Sequence, residues 1–231
     1  CKAKIRYGGV IDLDMEQARC YMVEQQIRPW DVLDPAVLAS LFKIKREEFV
    51  PKAWRVLALA DMEVPLGHDA AMLSPKLEAR LVQEARIADG DNVLEIGTGS
   101  GYMTALLASA VGGGWVHSVD IVPEFITAAR EKLARHNITN VTLQTGDAAH
   151  GWNTLGNYDL IVVTGSLPVL PEAYAKNMKV GGRLLAVVGE CPVMEACLIT
   201  RLTPDVWRTD DLFETCIPAL KNAQQAEHFV F

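Results

Sequence analysis

Val93-Leu94-Glu95-Ile96-Gly97-Thr98-Gly99-Ser100-Gly101-Tyr102-Met103-Thr104-Ala105-Leu106-Leu107-Ala108 reads as a short apolar strand, a glycine-rich turn and the opening of a helix. Gly97, Gly99 and Gly101 let the backbone turn tightly and let a ligand press against it. A second apolar run, Trp115 to Val119, ends at Asp120. That acid falls about 20 residues further on, where a nucleoside ribose needs an acceptor for its hydroxyls. The spacing is G-x-G-x-G and not the G-x-G-x-x-G of dinucleotide sites. Glu95 stands just before the first glycine. A carboxylate there opposes a pyrophosphate but suits a ligand carrying an ammonium or sulfonium group. S-adenosylmethionine carries both, together with a ribose and an adenine. The expected cofactor loop is therefore Glu95, Gly97, Thr98, Gly99, Ser100 and Gly101, with Asp120 and Ile121 at the ribose.

On either side of this stretch the chain alternates between strand and helix patterns. Strands are expected at Asn92–Ile96, Trp115–Asp120, Val141–Thr145 and Tyr158–Thr164, with helices at Gly101–Val111, Pro123–His136 and Leu170–Met178. Within Tyr158–Thr164, Leu160–Val163 is a continuous apolar run, as a central strand buried on both faces requires. Gly181-Gly182 reads as a turn into a strand at Arg183–Val188. Glu195–Leu202 and Leu212–Ile217 read as late strands, antiparallel at the sheet edge. This pattern predicts an α/β fold with a doubly wound, mostly parallel, Rossmann-like sheet. Ligands in such sheets bind outside the carboxyl ends of the strands. Glu95–Gly101, Asp120, Gly146-Asp147-Ala148 and Thr164 all fall on that rim.

Upstream, residues 15–86 read as a helical extension and residues 87–231 as the cofactor-binding core, in one continuous domain. Met15–Arg28 has helical periodicity, stopped by Pro29. Asp34-Pro35 and Ser74-Pro75 read as an N-cap followed by proline at the first helical position. The second of these opens a helix ending near Arg86. Glu63–Leu73 reads as a loop. Residues 1–14 read as a non-native or disordered lead, with Met15 as a plausible natural start.

The 231 residues suit one sizeable α/β domain with an extension. Twenty-two basic against 29 acidic residues give a net charge of −7, which argues against a nucleic-acid or anionic-membrane partner held by bulk electrostatics. No apolar run is long enough to span a bilayer. Cys1, Cys20, Cys191, Cys197 and Cys216 form no C-x-x-C and read as free thiols in a reducing cytoplasm. The five histidines show no metal-ligand spacing, so no metal is expected; His68 and His150 lie in loops that could face the rim. No G-x-S-x-G elbow supports a hydrolase.

Arg46-Glu47-Glu48-Phe49-Val50-Pro51, Val93–Ala108, Gly146-Asp147, Asp159-Leu160-Ile161-Val162-Val163-Thr164 and Gly181-Gly182-Arg183-Leu184 resemble, in that order, the protein-L-isoaspartate O-methyltransferases. The resemblance runs from about Val23 to the C-terminus. It implies a seven-stranded methyltransferase sheet with an N-terminal helical extension, its last two strands exchanged relative to most methyltransferases. It also implies methyl transfer from S-adenosylmethionine to the α-carboxylate of isoaspartyl residues in aged proteins, a protein-repair reaction, with Asp147 near the adenine. The family's substrate loop usually reads G-x-G-Q-x-I-S-x-P, its Ser contacting the isoaspartyl carboxylate. Here the stretch is Gly67-His68-Asp69-Ala70-Ala71-Met72-Leu73-Ser74-Pro75. Leu73 takes the Ser position, Ala70 replaces Gln, and Ser74 comes one residue late. Leu73 and Ser74 are thus the candidate substrate-loop positions. The alternatives are a different acceptor, such as a small molecule held around His68, Asp69 and Lys76, and a catalytically silent cofactor-binding protein.

Overall fold

Asp34, Ser74, Gly101 and Val122 each stand immediately before a helix, and three of those helices begin with proline. The computed structural model describes residues 14–152 and 156–225. The expected lead at residues 1–14 lies outside them except for Asp14, whose carboxylate accepts from the backbone N–H groups of Glu16 and Gln17 at 3.1 Å. In chain order the elements are α1 (Met15–Met22), α2 (Pro35–Lys43), β1 (Val64–Gly67), β2 (Ala70–Met72), α3 (Pro75–Glu84), β3 (Asn92–Ile96), α4 (Tyr102–Ala110) and β4 (Trp115–Asp120). There follow α5 (Pro123–Arg135), β5 (Val141–Thr145), β6 (Tyr158–Leu167), α6 (Glu172–Lys176), β7 (Met178–Glu190), β8 (Val193–Thr203) and β9 (Val206–Thr215).

Seven strands form one sheet in the order β5-β4-β3-β6-β7-β8-β9. The pairs from β5 to β7 are parallel, and β8 and β9 are antiparallel to their neighbours. The last strands thus follow one another in chain order. Alternation along the strands divides the core. Val93, Val116, Leu160, Val162 and Leu185 face one cluster, shared with α3, α4 and the N-terminal helices. Leu94, Ile96, Val119, Ile161, Val163 and Leu184 face the other, covered by Tyr174 of α6 and partly by Trp152. Because the first cluster also takes in Met22, Ile27, Leu41 and Phe49, the extension shares its core with the sheet.

Several local expectations need correction. The helix expected over Met15–Arg28 is α-helical only to Met22; Val23–Ile27 is a π turn and Arg28–Trp30 a 3-10 turn, so Pro29 sits inside the closing turn. The expected loop at Glu63–Leu73 holds a small antiparallel hairpin, β1–β2, reversed at Gly67, His68 and Asp69, all of positive φ. The helix at Leu170–Met178 shortens to Glu172–Lys176, because Met178 already pairs with Tyr158. Gly181-Gly182 is not a turn between elements: it lies in a bulge of β7, where Met178 to Arg183 span only Tyr158 to Leu160 of β6. Finally, Cys191 and Cys216 are joined in a disulfide, while Cys20 and Cys197 are free. Their 25-residue separation hides the pairing. Strand β8 brings them together, since it pairs with the end of β7 through Glu190↔Val193 and with the end of β9 through Met194↔Thr215.

Candidate active site

The carboxyl ends of β3, β4 and β6 meet at one rim. Gly97 has φ +99°, and a Cβ built there would stand 2.2 Å from Thr164 Oγ1. Thr164 comes this close because Ile96 of β3 pairs with Val163 of β6, which sets the following residues, Gly97 and Thr164, side by side. Its hydroxyl lies 3.0 and 2.8 Å from the carbonyls of Ile96 and Gly97 and donates to them. Asp120 closes the loop from the other side, with one carboxylate oxygen accepting from Gly99 N–H at 2.8 Å and the other from Val122 N–H at 2.9 Å. Each oxygen keeps a lone pair for a ligand hydroxyl. Burial raises the Asp120 pKa, and these two backbone donors partly offset the rise. Asp147 accepts from Ala149 N–H at 3.0 Å and from the Asn222 amide at 2.7 Å.

A cleft opens above this rim. Gly97, Thr98, Gly99, Ser100, Asp120, Ile121, Gly146, Asp147, Ala148 and Thr164 line it. Two expected members do not. Gly101 packs against α5 instead, where an added Cβ would lie 2.9 Å from that of Ala129. Glu95 is fully buried beneath the loop, on the face of β3 that carries Val93, and it accepts from the Thr104 hydroxyl of α4 at 2.5 Å. It braces the loop from below and does not line the cleft.

Burial pushes the Glu95 carboxyl up to about 8; the Ser118 and Thr104 hydroxyls pull it back and Asp120 adds to the rise. A glutamate raised in the fold contributes stability that is full below its ordinary value of 4.5 and is lost as pH climbs through about 8. Glu95→Gln should therefore give a shallower fall in unfolding free energy across that window than the wild type. Urea melts at intervals across it measure this, and an unchanged slope would contradict the assignment.

The hairpin forms the opposing wall through Leu66, Asp69, Ala70, Ala71, Met72 and Leu73. Leu73 faces the cleft; Ser74 does not line it, and its hydroxyl makes no capping hydrogen bond to α3. The expectation that Ser74 serves as a side-chain cap is corrected. His68 and Phe125 stack edge to face with ring centroids 5.5 Å apart, and Lys76 pairs with Asp61 at 2.7 Å. Neither they nor His150 line the cleft, so of the group His68, Asp69 and Lys76 only Asp69 does. Behind the wall, Arg46 is fully buried. It donates to Glu78 at 2.8 Å, to the Leu73 carbonyl at 2.5 Å and to the Ala58 carbonyl. Lys132 of α5 ties the glycine loop to the extension, donating to the carbonyls of Ser100 at 3.0 Å and Phe49 at 2.7 Å. Among the described residues no group of three or more His, Cys, Asp or Glu is placed to hold a metal ion, and no helix is long and apolar enough to cross a membrane.

Residues 18–214 match the family model described as Protein-L-isoaspartate(D-aspartate) O-methyltransferase (PCMT). The chain belongs to this family. The protein-L-isoaspartate O-methyltransferase of Gloeobacter violaceus is 39% identical over 168 residues, 73% of this chain and 81% of that protein. That of Rhodopseudomonas palustris is 38% identical over 182 residues, 78% of this chain and 83% of the relative. The fold agrees with a solved protein-L-isoaspartate O-methyltransferase at a TM-score of 0.77 and 24% identity, covering 91% of this chain and 67% of the other. It also agrees with a Plasmodium falciparum member crystallised with S-adenosyl-L-homocysteine, at a TM-score of 0.74 and 20% identity, covering 88% and 98% of the two chains.

The chain is therefore an S-adenosylmethionine-dependent O-methyltransferase that acts on a carboxylate. Its own residues fit that cofactor. The glycine loop leaves close-approach space, with a Cβ on Gly99 only 3.3 Å from Leu66 of the hairpin, and Asp120 keeps acceptor capacity. Three parts of the methyltransferase site escaped the sequence reading. Met103 and Phe125 line the cleft but look like ordinary core positions of helices. The segment Pro218-Ala219-Leu220-Lys221, which also lines it, follows β9 and carries no motif. Glu78 lies in α3, and only its burial beside Arg46 marks it.

Proposed function

We propose that the methyl acceptor is the α-carboxylate of an isoaspartyl residue in a peptide or protein, and that the reaction serves protein repair. The reading is carried by the family match over residues 18–214, which takes in both the glycine loop and the hairpin wall opposite it. When bound, S-adenosylmethionine supplies a methyl group activated by its sulfonium. An acceptor carboxylate is ionised at neutral pH, so the chain needs no general base. Its residues align the acceptor, exclude water and hold it at a reactive distance. Leu66, Ala70, Ala71, Met72 and Leu73 make the hairpin wall largely apolar, which suits desolvation of the reacting oxygen.

A second reading, a different carboxylate acceptor on the same fold, is favoured by one observation. Leu73 lines the cleft at the position that the resemblance of the loop assigns to a serine. Leu73→Ser decides between them. If the isoaspartyl reading holds, restoring a donor to a charged acceptor should raise kcat/KM on an isoaspartyl peptide by roughly 10- to 100-fold, the worth of a hydrogen bond to charge. Cofactor affinity should stay unchanged. Leu73 is buried, so a thermal melt must confirm that the variant is folded. Robust wild-type activity untouched by Leu73→Ser would show that backbone donors suffice; no activity in either form would favour the second reading.

A further inference from the structure

The cleft is strongly acidic for a site that must take in a carboxylate. Among the described residues lining it, Asp69, Glu78, Asp120 and Asp147 are acidic, and Lys221 is the only basic one. The other cations near the rim are spent: the Arg46 guanidinium is buried and committed to Glu78 and to the carbonyls of Ala58 and Leu73, and the Lys132 ammonium donates to the carbonyls of Ser100 and Phe49. Three of the four acids are likewise occupied, Glu78 by Arg46, Asp120 by the N–H groups of Gly99 and Val122, and Asp147 by Ala149 and Asn222. Among the described residues the Lys221 ammonium has no ion-pair or hydrogen-bond partner, only a longer-range attraction to Asp120.

Its backbone, in contrast, is held. Ser166 N–H donates to the Pro218 carbonyl at 2.9 Å, Leu220 N–H donates to the Ser166 carbonyl at 2.8 Å, and the Ser166 hydroxyl donates to the Ile217 carbonyl at 3.2 Å. Asn222 anchors the far side on Asp147. A Cβ added to Gly165 would stand 3.0 Å from Leu220 N, so the strap lies flat on the end of β6 beside Thr164. The strap therefore places Lys221 on the wall of the cleft, beside the rim formed by the ends of β3, β4 and β6. Its charge is close enough to Asp120 to offset part of the rise in that group's pKa.

We propose that Lys221 is the counter-charge for a carboxylate bound in this cleft. The inference rests on the methyltransferase reading of the site. Two carboxylates meet there, that of the acceptor and that of the methionyl part of the cofactor, and both present the same chemistry to an ammonium.

The test compares wild type, Lys221→Met and Lys221→Arg in three measurements. These are the calorimetric affinity for S-adenosylhomocysteine, the affinity for 5′-methylthioadenosine, which lacks the amino-acid carboxylate, and KM and kcat on an isoaspartyl peptide. The Met variant should lose on the order of tenfold or more in one arm, with the Arg variant close to wild type. A rise in KM with S-adenosylhomocysteine affinity and kcat retained assigns Lys221 to the acceptor. A loss of S-adenosylhomocysteine affinity with methylthioadenosine affinity retained assigns it to the cofactor. Equal loss for both nucleosides, or no change in any arm, overturns the proposal. If the wild type transfers no methyl to the peptide, the isoaspartyl reading fails on its own, and the two nucleoside arms still decide Lys221: selective loss upholds it and no loss overturns it.

Discussion

Gly97→Ala should cost about 2–4 kcal/mol of stability and lower methyl transfer on the order of a hundredfold. The new Cβ would meet Thr164 Oγ1 at 2.2 Å, and the backbone it joins has φ +99°, which side-chain-bearing residues rarely adopt. The two faults are separable. Removing the hydroxyl leaves Thr164 Cβ as the nearest atom, at 3.6 Å. Gly97→Ala in a Thr164→Ala background should therefore recover part of the loss, while the strain from φ remains. A double-mutant cycle read by urea melts and by calorimetric binding of S-adenosylhomocysteine measures the coupling. Additive effects of the two substitutions would show that Thr164 does not press on the loop.

Arg46→Met should destabilise the protein by about 3–5 kcal/mol, the usual result of stripping one partner from a buried ion pair. Arg46 and Glu78 are both buried, and the substitution also leaves the Leu73 and Ala58 carbonyls without their donor. Burial already pushes the Glu78 carboxyl up to about 7, against the pull of Arg46. Without that pull it rises further, so the protonated form becomes the one the fold tolerates. A carboxyl raised in this way gives up stability as pH increases through its folded value, and the variant should be weakest above pH 7. Adding Glu78→Leu to Arg46→Met should restore much of the stability and remove the extra pH dependence. Denaturation of the single and double variants on either side of neutrality checks both points; a single variant as stable as wild type would mean that the pair does not hold the acceptor wall.

What could be read in the sequence was what repeats locally. Strands Asn92–Ile96, Trp115–Asp120 and Val141–Thr145 begin and end where apolar alternation and the flanking glycines and aspartates place them. The loop, Asp120, Asp147 and Thr164 share a rim because parallel strands share one carboxyl edge. What could not be read depends on orientation or on distant pairing. Glu95 has the spacing of a ligand contact, but the pleat turns it under α4 to Thr104. The glycine pair at 181–182 looks like a turn, and only the pairing of β7 with β6 reveals a bulge. The hairpin at Val64–Met72 is too short to show a period, and Cys191 meets Cys216 only through β8. Lys221 carries no local signal, because the strap reaches the cleft by docking on Ser166.

The most direct measurement is transfer of labelled methyl from S-adenosylmethionine to an isoaspartyl peptide beside its aspartyl twin. The expected result is label on the isoaspartyl peptide alone, released as methanol in mild base, as a carboxyl methyl ester requires. No label, equal labelling of both peptides, or label that survives base would contradict methylation of an isoaspartyl carboxylate.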